Sequence, residues 1–130
     1  MSAITLEHVN LNVADLERAM AFYRRLLPTW IVRWEGRTSG GEPWLHFGPA
    51  DREGQPGYLS IYQERAASGT PADGTLRVNH LGFAHPDVNA LVDELARDGI
   101  APFDRVDDGA YRRAYFTDPS GHEVELVQRL

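Results

Sequence analysis

A chain of 130 residues with 42% hydrophobic and 25% charged side chains has the size and balance of one globular domain with its own core. Thirteen basic against nineteen acidic side chains give a net charge of −6, which excludes the basic stripe of a phosphate-backbone binder. All thirteen are arginine and cysteine is absent, so lysine Schiff-base chemistry, disulfides and thiolate metal sites are excluded as well.

The opening MSAITLEHVN has neither a basic flank nor an apolar run, and no stretch approaches the ~18 apolar residues of a membrane span. A cytoplasmic protein without membrane or nucleic-acid partners is the expectation. Residues 4–13 alternate as a strand, with Val9, Leu11 and Val13 on one face and His8, Asn10 and Asn12 on the other. Asp15 then caps a helix whose Leu16, Ala19, Met20 and Tyr23 make one buried stripe. Strands follow at roughly 29–34, 43–47 and 57–64, and AASGTPADGT (66–75) reads as a linker.

The pattern then starts again. A slide of 72 residues lays His8 on His80, Asp15 on Asp87 and Arg25 on Arg97, with Val88, Leu91, Val92 and Leu95 repeating the helical stripe. A strand is expected at 77–84, and more at 101–106, 111–117 and 122–129, the last after the type I turn Asp118-Pro119-Ser120-Gly121. The fold expected is α+β: a single domain, 1–130, of two tandem βαβββ modules (4–64 and 77–129). Their open faces and strand edges invite pairing into a cup-shaped, partly closed mixed β-sheet with helices outside.

Strand period decides which side chains meet. With Leu45, Phe47, Leu59, Ile61, Ala114, Phe116, Val124 and Leu126 turned to the helices, the open faces collect His8, Asn10, His46, Ser60, His80, Tyr115 and Glu125. Trp44, Tyr58, Tyr62, Arg113, Glu123 and Val127 share those faces. So many polar groups on one side suit a lined cavity better than a core.

Three segments, LEHVNLNVADLERAMAFYRRLLP, VNHLGF and YFTDPSGHEVELVQ, give the chain a resemblance to the vicinal-oxygen-chelate superfamily of glyoxalases, bleomycin-resistance proteins and extradiol dioxygenases. The resemblance implies a divalent metal (Fe, Mn, Ni or Zn) held by His8, His80 and Glu125. Two imidazoles and a carboxylate with open positions suit such ions, which act as Lewis acid and template for a substrate with adjacent oxygens. Tyr115, ten residues before Glu125, matches a tyrosine of the dioxygenase branch; Tyr115 and His46 are the candidate general acid/base residues. Asn10, Trp44, Ser60, Tyr62 and Arg113 are the candidate substrate contacts.

Departures from the family pattern narrow the reading. Where glyoxalase I-type enzymes place a fourth ligand, the register puts Ser60, with Gln63 and Glu64 as gapped alternatives. The lysine of the fosfomycin-resistance branch is absent, with Arg105 its nearest substitute. The function expected is a metal-dependent lyase, isomerase or dioxygenase, working as a homodimer on a small molecule. The alternative is a metal-free ligand-binding or drug-sequestering protein.

Other residues read as structural. His122 lies three positions from Glu125 and so faces away from it, His85 reads as a solvated loop residue, and Trp30 and Trp34 as fillers. Arg24, Arg25 and Arg112 read as surface or strand-edge charges, as does Arg113 unless it holds an anion. No G-x-S-x-G, G-x-G-x-x-G or P-loop pattern is present.

Overall fold

A computed structural model describes residues 4–52, 54–64 and 78–130; the linker expected at 66–75 lies outside the described residues. Two compact units divide the chain between residues 68 and 69. The first contains β1 (His8–Val13), α1 (Leu16–Leu26), β2 (Trp30–Arg37), β3 (Pro43–Pro49) and β4 (Tyr58–Gln63). The second contains β5 (Leu81–Ala84), α2 (Val88–Arg97), β6 (Asp104–Asp107), β7 (Tyr111–Thr117) and β8 (Glu123–Arg129). Each unit is a four-stranded mixed sheet, ordered β1-β4-β3-β2 and β5-β8-β7-β6. First and last strands pair in parallel; the other pairs are antiparallel. The α+β class and the doubled βαβββ plan are those expected.

Both helices start alike. Asp15 Oδ1 accepts the Arg18 N–H and Asp87 Oδ1 the Ala90 N–H, each at 3.0 Å, satisfying donors that a helix start leaves free. A second cap arrives from the last strand. Gln63 Oε1 accepts the Leu16 N–H at 2.9 Å, and Gln128 Oε1 accepts the Val88 N–H at 3.0 Å. Each glutamine thereby ties the end of its unit to the beginning of its helix. The apolar stripes are buried as their spacing requires: Leu16, Ala19, Met20, Tyr23 and Leu26 in α1, and Val88, Leu91, Val92 and Leu95 in α2. Beneath them lie Leu45, Phe47, Leu59 and Ile61 in one sheet and Ala114, Phe116, Val124 and Leu126 in the other.

The boundaries differ from expectation at the strand starts. β1 begins at His8 and β5 at Leu81, because regular pairing begins only opposite Tyr58 and Val124. Just before β1, the Glu7 carbonyl accepts both the Gly57 and Tyr58 N–H groups, an irregular entry to the ladder. Arg112 and Arg113 are not on a strand edge, since β7 runs between β8 and β6. The Asp118 turn forms as expected: Gly121 N–H donates to the Asp118 carbonyl at 3.0 Å. The buried Asp118 carboxylate accepts the Ser120 and His122 N–H groups, which locks the approach to β8. Among the described residues, no helix is long and apolar enough to cross a membrane.

Candidate functional site

The second unit carries a charged cluster on its open face. Tyr115 lies opposite Glu125 across β7 and β8, and Gly82 lies opposite Glu125 across β5 and β8. His80, just ahead of β5, brings Nε2 to 3.1 Å from Glu125 Oε1. The other carboxylate oxygen, Oε2, lies 3.2 Å from Arg113 Nε. Glu125 is only 9% exposed, so its charge is held by these neighbours and not by bulk water. Arg113 is itself fixed: Nη1 donates to Asp108 Oδ2 at 3.1 Å, and the guanidinium sits 4.6 Å from the centre of the Tyr111 ring. Burial, and next the Glu125 charge, raise the Tyr115 hydroxyl above the usual tyrosine range. The Tyr115 and His80 rings meet edge to face at 5.9 Å.

The first unit carries rings instead. Tyr58 stacks on His8 (5.2 Å, 19°) and touches His46 (4.8 Å). His46 adjoins Trp44 at 5.3 Å, and Trp44 stacks on Tyr62 (5.8 Å, 15°). Five rings thus form a continuous surface across β1, β4 and β3. Trp44 reaches this position because residue 36 opposite it is glycine: a Cβ there would stand 2.7 Å from the indole. Glu7 Oε1 accepts from the Tyr58 hydroxyl at 3.2 Å and lies 2.9 Å from His8 Nδ1. Those hydrogen bonds, His8 first, pull Glu7 below the ordinary carboxylate range. Burial first, and then the neighbouring His8, hold His46 below the usual histidine range. Tyr58 is raised, mainly by burial.

The registers identify equivalent places in the two units. Asn10 opposite Ser60 corresponds to Gly82 opposite Glu125. His46 opposite Ser60 corresponds to Tyr115 opposite Glu125, and Trp44 opposite Tyr62 to Arg113 opposite Val127. Ser60, 3% exposed, therefore stands where the second unit has its carboxylate. Gln63 is committed elsewhere, capping α1 and donating to Glu42 Oε2 at 3.0 Å.

Other candidates are placed just as plainly. Asn10 is exposed on β1. Arg105 pairs with Ala114 and sends Nη2 to Asn89 Oδ1 of α2 at 2.7 Å, so it belongs to the helix side of the sheet. His85 is not a purely solvated loop residue: half-buried, its Nδ1 accepts the Asp87 N–H at 3.0 Å. Sequence reasoning missed Glu7, Asn79 and Asp108, which contact the candidate residues His8, His80 and Arg113, and counted Tyr58 on the open face without naming it a candidate.

The model of the Glyoxalase/Bleomycin resistance protein/Dioxygenase superfamily matches residues 5–126. The chain belongs to that superfamily. No curated protein matches it. Among solved superfamily-like folds, a glyoxalase family protein from Enterococcus faecalis is 21% identical, with a TM-score of 0.75 over 95% of this chain and 96% of that one. The trypanothione-dependent glyoxalase I of Leishmania major is 22% identical, with a TM-score of 0.77 over 97% and 87%. TnmS3, an antibiotic-binding protein from Streptomyces sp. CB03234, is 23% identical, with a TM-score of 0.69 over 100% and 99%. The superfamily fold thus serves both enzymes and binding proteins.

Members of this superfamily often use a divalent metal. Two ligands bound to one ion at ~2.0–2.1 Å and at ~90–110° lie about 2.9–3.4 Å apart. The 3.1 Å between His80 Nε2 and Glu125 Oε1 falls within that span. The pair fits. Among the described residues, no group of three or more His, Asp or Glu donors gathers in one place.

Proposed function

We propose that the protein is a divalent-metal-dependent enzyme of the glyoxalase/dioxygenase type, acting on a small molecule with adjacent oxygens. The observation that carries this reading is the convergence of His80 Nε2 and Glu125 Oε1 at ligand-pair distance. His8 is assigned as the third donor. The bound ion would supply Lewis acidity and a template for the two substrate oxygens.

The chain's own residues supply the rest. Glu125 contributes the one negative charge of the ligand set. Tyr115, opposite it in the ladder, holds a hydroxyl proton that it can give to a substrate oxygen. His46 is the corresponding proton acceptor candidate in the first unit. Trp44 and Tyr62 offer ring faces to the organic part of the substrate. Ser60 and Asn10 offer hydrogen bonds, and Arg113 steers anionic groups. The reading includes a homodimer in the cytoplasm.

A second reading is favoured by one observation: Arg113 and His80 already occupy both Glu125 oxygens. A carboxylate neutralised in this way suits a metal-free binding protein, and the ring surface suits an aromatic ligand. Metal analysis of untagged protein, with Mn(II), Fe(II), Ni(II) and Zn(II) titrations, separates the two. About one ion per chain, and turnover abolished by chelator, supports the enzyme; no binding of any of the four ions overturns it.

A further inference from the structure

Each of the two histidines at equivalent repeat positions is held at Nδ1 by the residue immediately before it. His8 Nδ1 lies 2.9 Å from Glu7 Oε1, and His80 Nδ1 lies 2.7 Å from Asn79 Oδ1. Glu7 and Asn79 are 72 positions apart, as are His8 and His80. The same contact therefore arises twice, in two units, from two different side chains. Both side chains lie outside the regular strands and are exposed, and Glu7 Oε1 in addition accepts from the Tyr58 hydroxyl.

The chemistry of imidazole gives the contact a meaning. A ring whose Nδ1–H is donated to an oxygen keeps its lone pair on Nε2 and cannot turn over without breaking that bond. Free imidazole side chains in water favour the opposite tautomer. Histidines that bind metals through one nitrogen usually have the other tied to a carboxylate, a carbonyl or a water. At His80 the other nitrogen, Nε2, lies 3.1 Å from Glu125 Oε1, a separation that two donors to one cation can share.

We propose that Glu7 and Asn79 are positioning residues that fix the ring orientation of His8 and His80 and reserve Nε2 of each as a donor to a divalent cation. The proposal rests on the metal-enzyme reading above. The two histidines are not equal partners. A carboxylate behind His8 adds negative charge to the ring and strengthens it as a donor, whereas the Asn79 amide behind His80 orients without charging.

The test uses the full chain and two independent readouts. In chelator-treated protein, ¹⁵N imidazole spectra, with His8 assigned by the loss of its signals in His8→Gln, report which nitrogen carries the proton. The Nδ1–H tautomer is expected at His8 in the parent protein, shifting toward Nε2–H in Glu7→Ala. Titration calorimetry with Mn(II) and Zn(II) is the second readout. Glu7→Ala and Asn79→Ala should each lose about 10–100-fold in affinity. Glu7→Gln should retain part of it, and Asn79→Asp should bind several-fold more tightly than the parent. Thermal melting of all four should stay near the parent, since the substituted side chains are exposed.

An Nε2–H tautomer at His8 in the parent, or parent-like affinity in both alanine variants, overturns the proposal. A parent protein that takes up no divalent ion overturns the metal centre itself. The tautomer measurement still reads the Glu7–His8 contact in that case, so the two failures are told apart.

Discussion

Glu125 stands between a base and a cation: Oε1 faces His80 Nε2 at 3.1 Å, and Oε2 faces Arg113 Nε at 3.2 Å. One carboxylate is thus divided between a potential metal ligand and a fixed guanidinium. Its substitution is the most informative single change in the molecule. Glu125→Gln keeps the shape and removes the charge, and divalent-ion affinity is expected to fall more than about 100-fold. Glu123→Gln is the matched control, exposed on the same strand as Glu125 and paired with Thr117 of β7. Equal affinities for Mn(II) and Zn(II) in the two variants would sink the ligand assignment.

Arg113 competes with any cation for the same carboxylate. Like charges only a few ångströms apart in a partly desolvated setting repel by more than 1 kcal/mol. Arg113→Met should therefore raise divalent affinity about tenfold. It should also weaken binding of anionic ligands. Calorimetry decides: a loss of metal affinity in this variant means the guanidinium orients Glu125 instead of competing for it.

Ser60 takes the place in the first unit that Glu125 takes in the second, and a hydroxyl is a weak donor to a divalent ion. Ser60→Ala should leave metal affinity within about twofold of the parent, where losing a ligand would cost far more. Metal loss on this substitution would show that Ser60 takes part in the centre.

Acid should loosen the β6–β7 turn before it unfolds the rest. Asp107 is held below the usual carboxylate range chiefly by the Gly109 N–H and then by Arg112. Asp108 is held low chiefly by the Tyr111 and Ala110 N–H groups, with Arg113 adding to them. A folded-state value below the unfolded one means stability that is present above the unfolded pKa of about 4 and lost as pH falls through the lower folded value. Melting temperatures of the parent should drop from pH 5 to pH 2.5. In Asp108→Asn the curve should flatten over that window, and an unchanged slope would refute the assignment.

The glutamine clamps give a stability prediction. Gln128→Met preserves length but leaves the Val88 N–H without its acceptor, at a cost of about 1–3 kcal/mol. Denaturant unfolding measures it, and Gln63→Met should behave alike in the first unit.

The legible part of this protein was whatever repeats at short range. Period-two alternation placed Leu59, Ile61, Val124 and Leu126 inward, and the Asp15 and Asp87 caps were readable because their partners lie three residues away. The glutamine clamps escaped because they reach across 47 and 40 residues from strand ends that carry no local signature. Arg112, and Arg113 unless it held an anion, were read as edge charges because strand order is a tertiary fact: nothing in YRRAYF says that β6 will lie outside it. Glu7 and Asn79 were adjacent to the chosen histidines, yet a neighbour's side chain points back only once the backbone direction is known.

The matched registers also say where this architecture can vary at little cost. Asp15 and Asp87 are 72 positions apart, His46 and Tyr115 are 69, and Gln63 and Gln128 are 65. The second unit is therefore seven residues shorter between cap and clamp, while the capping and clamping contacts themselves are kept. Side chains at matched places can then be exchanged between halves where the residues opposite them are compatible. Exchanging His46 with Tyr115 would move ring chemistry from one half to the other, whereas a tryptophan at position 113 would also need Val106→Gly, because Trp44 is accommodated by the glycine opposite it: the sequence stores two recipes in one mould.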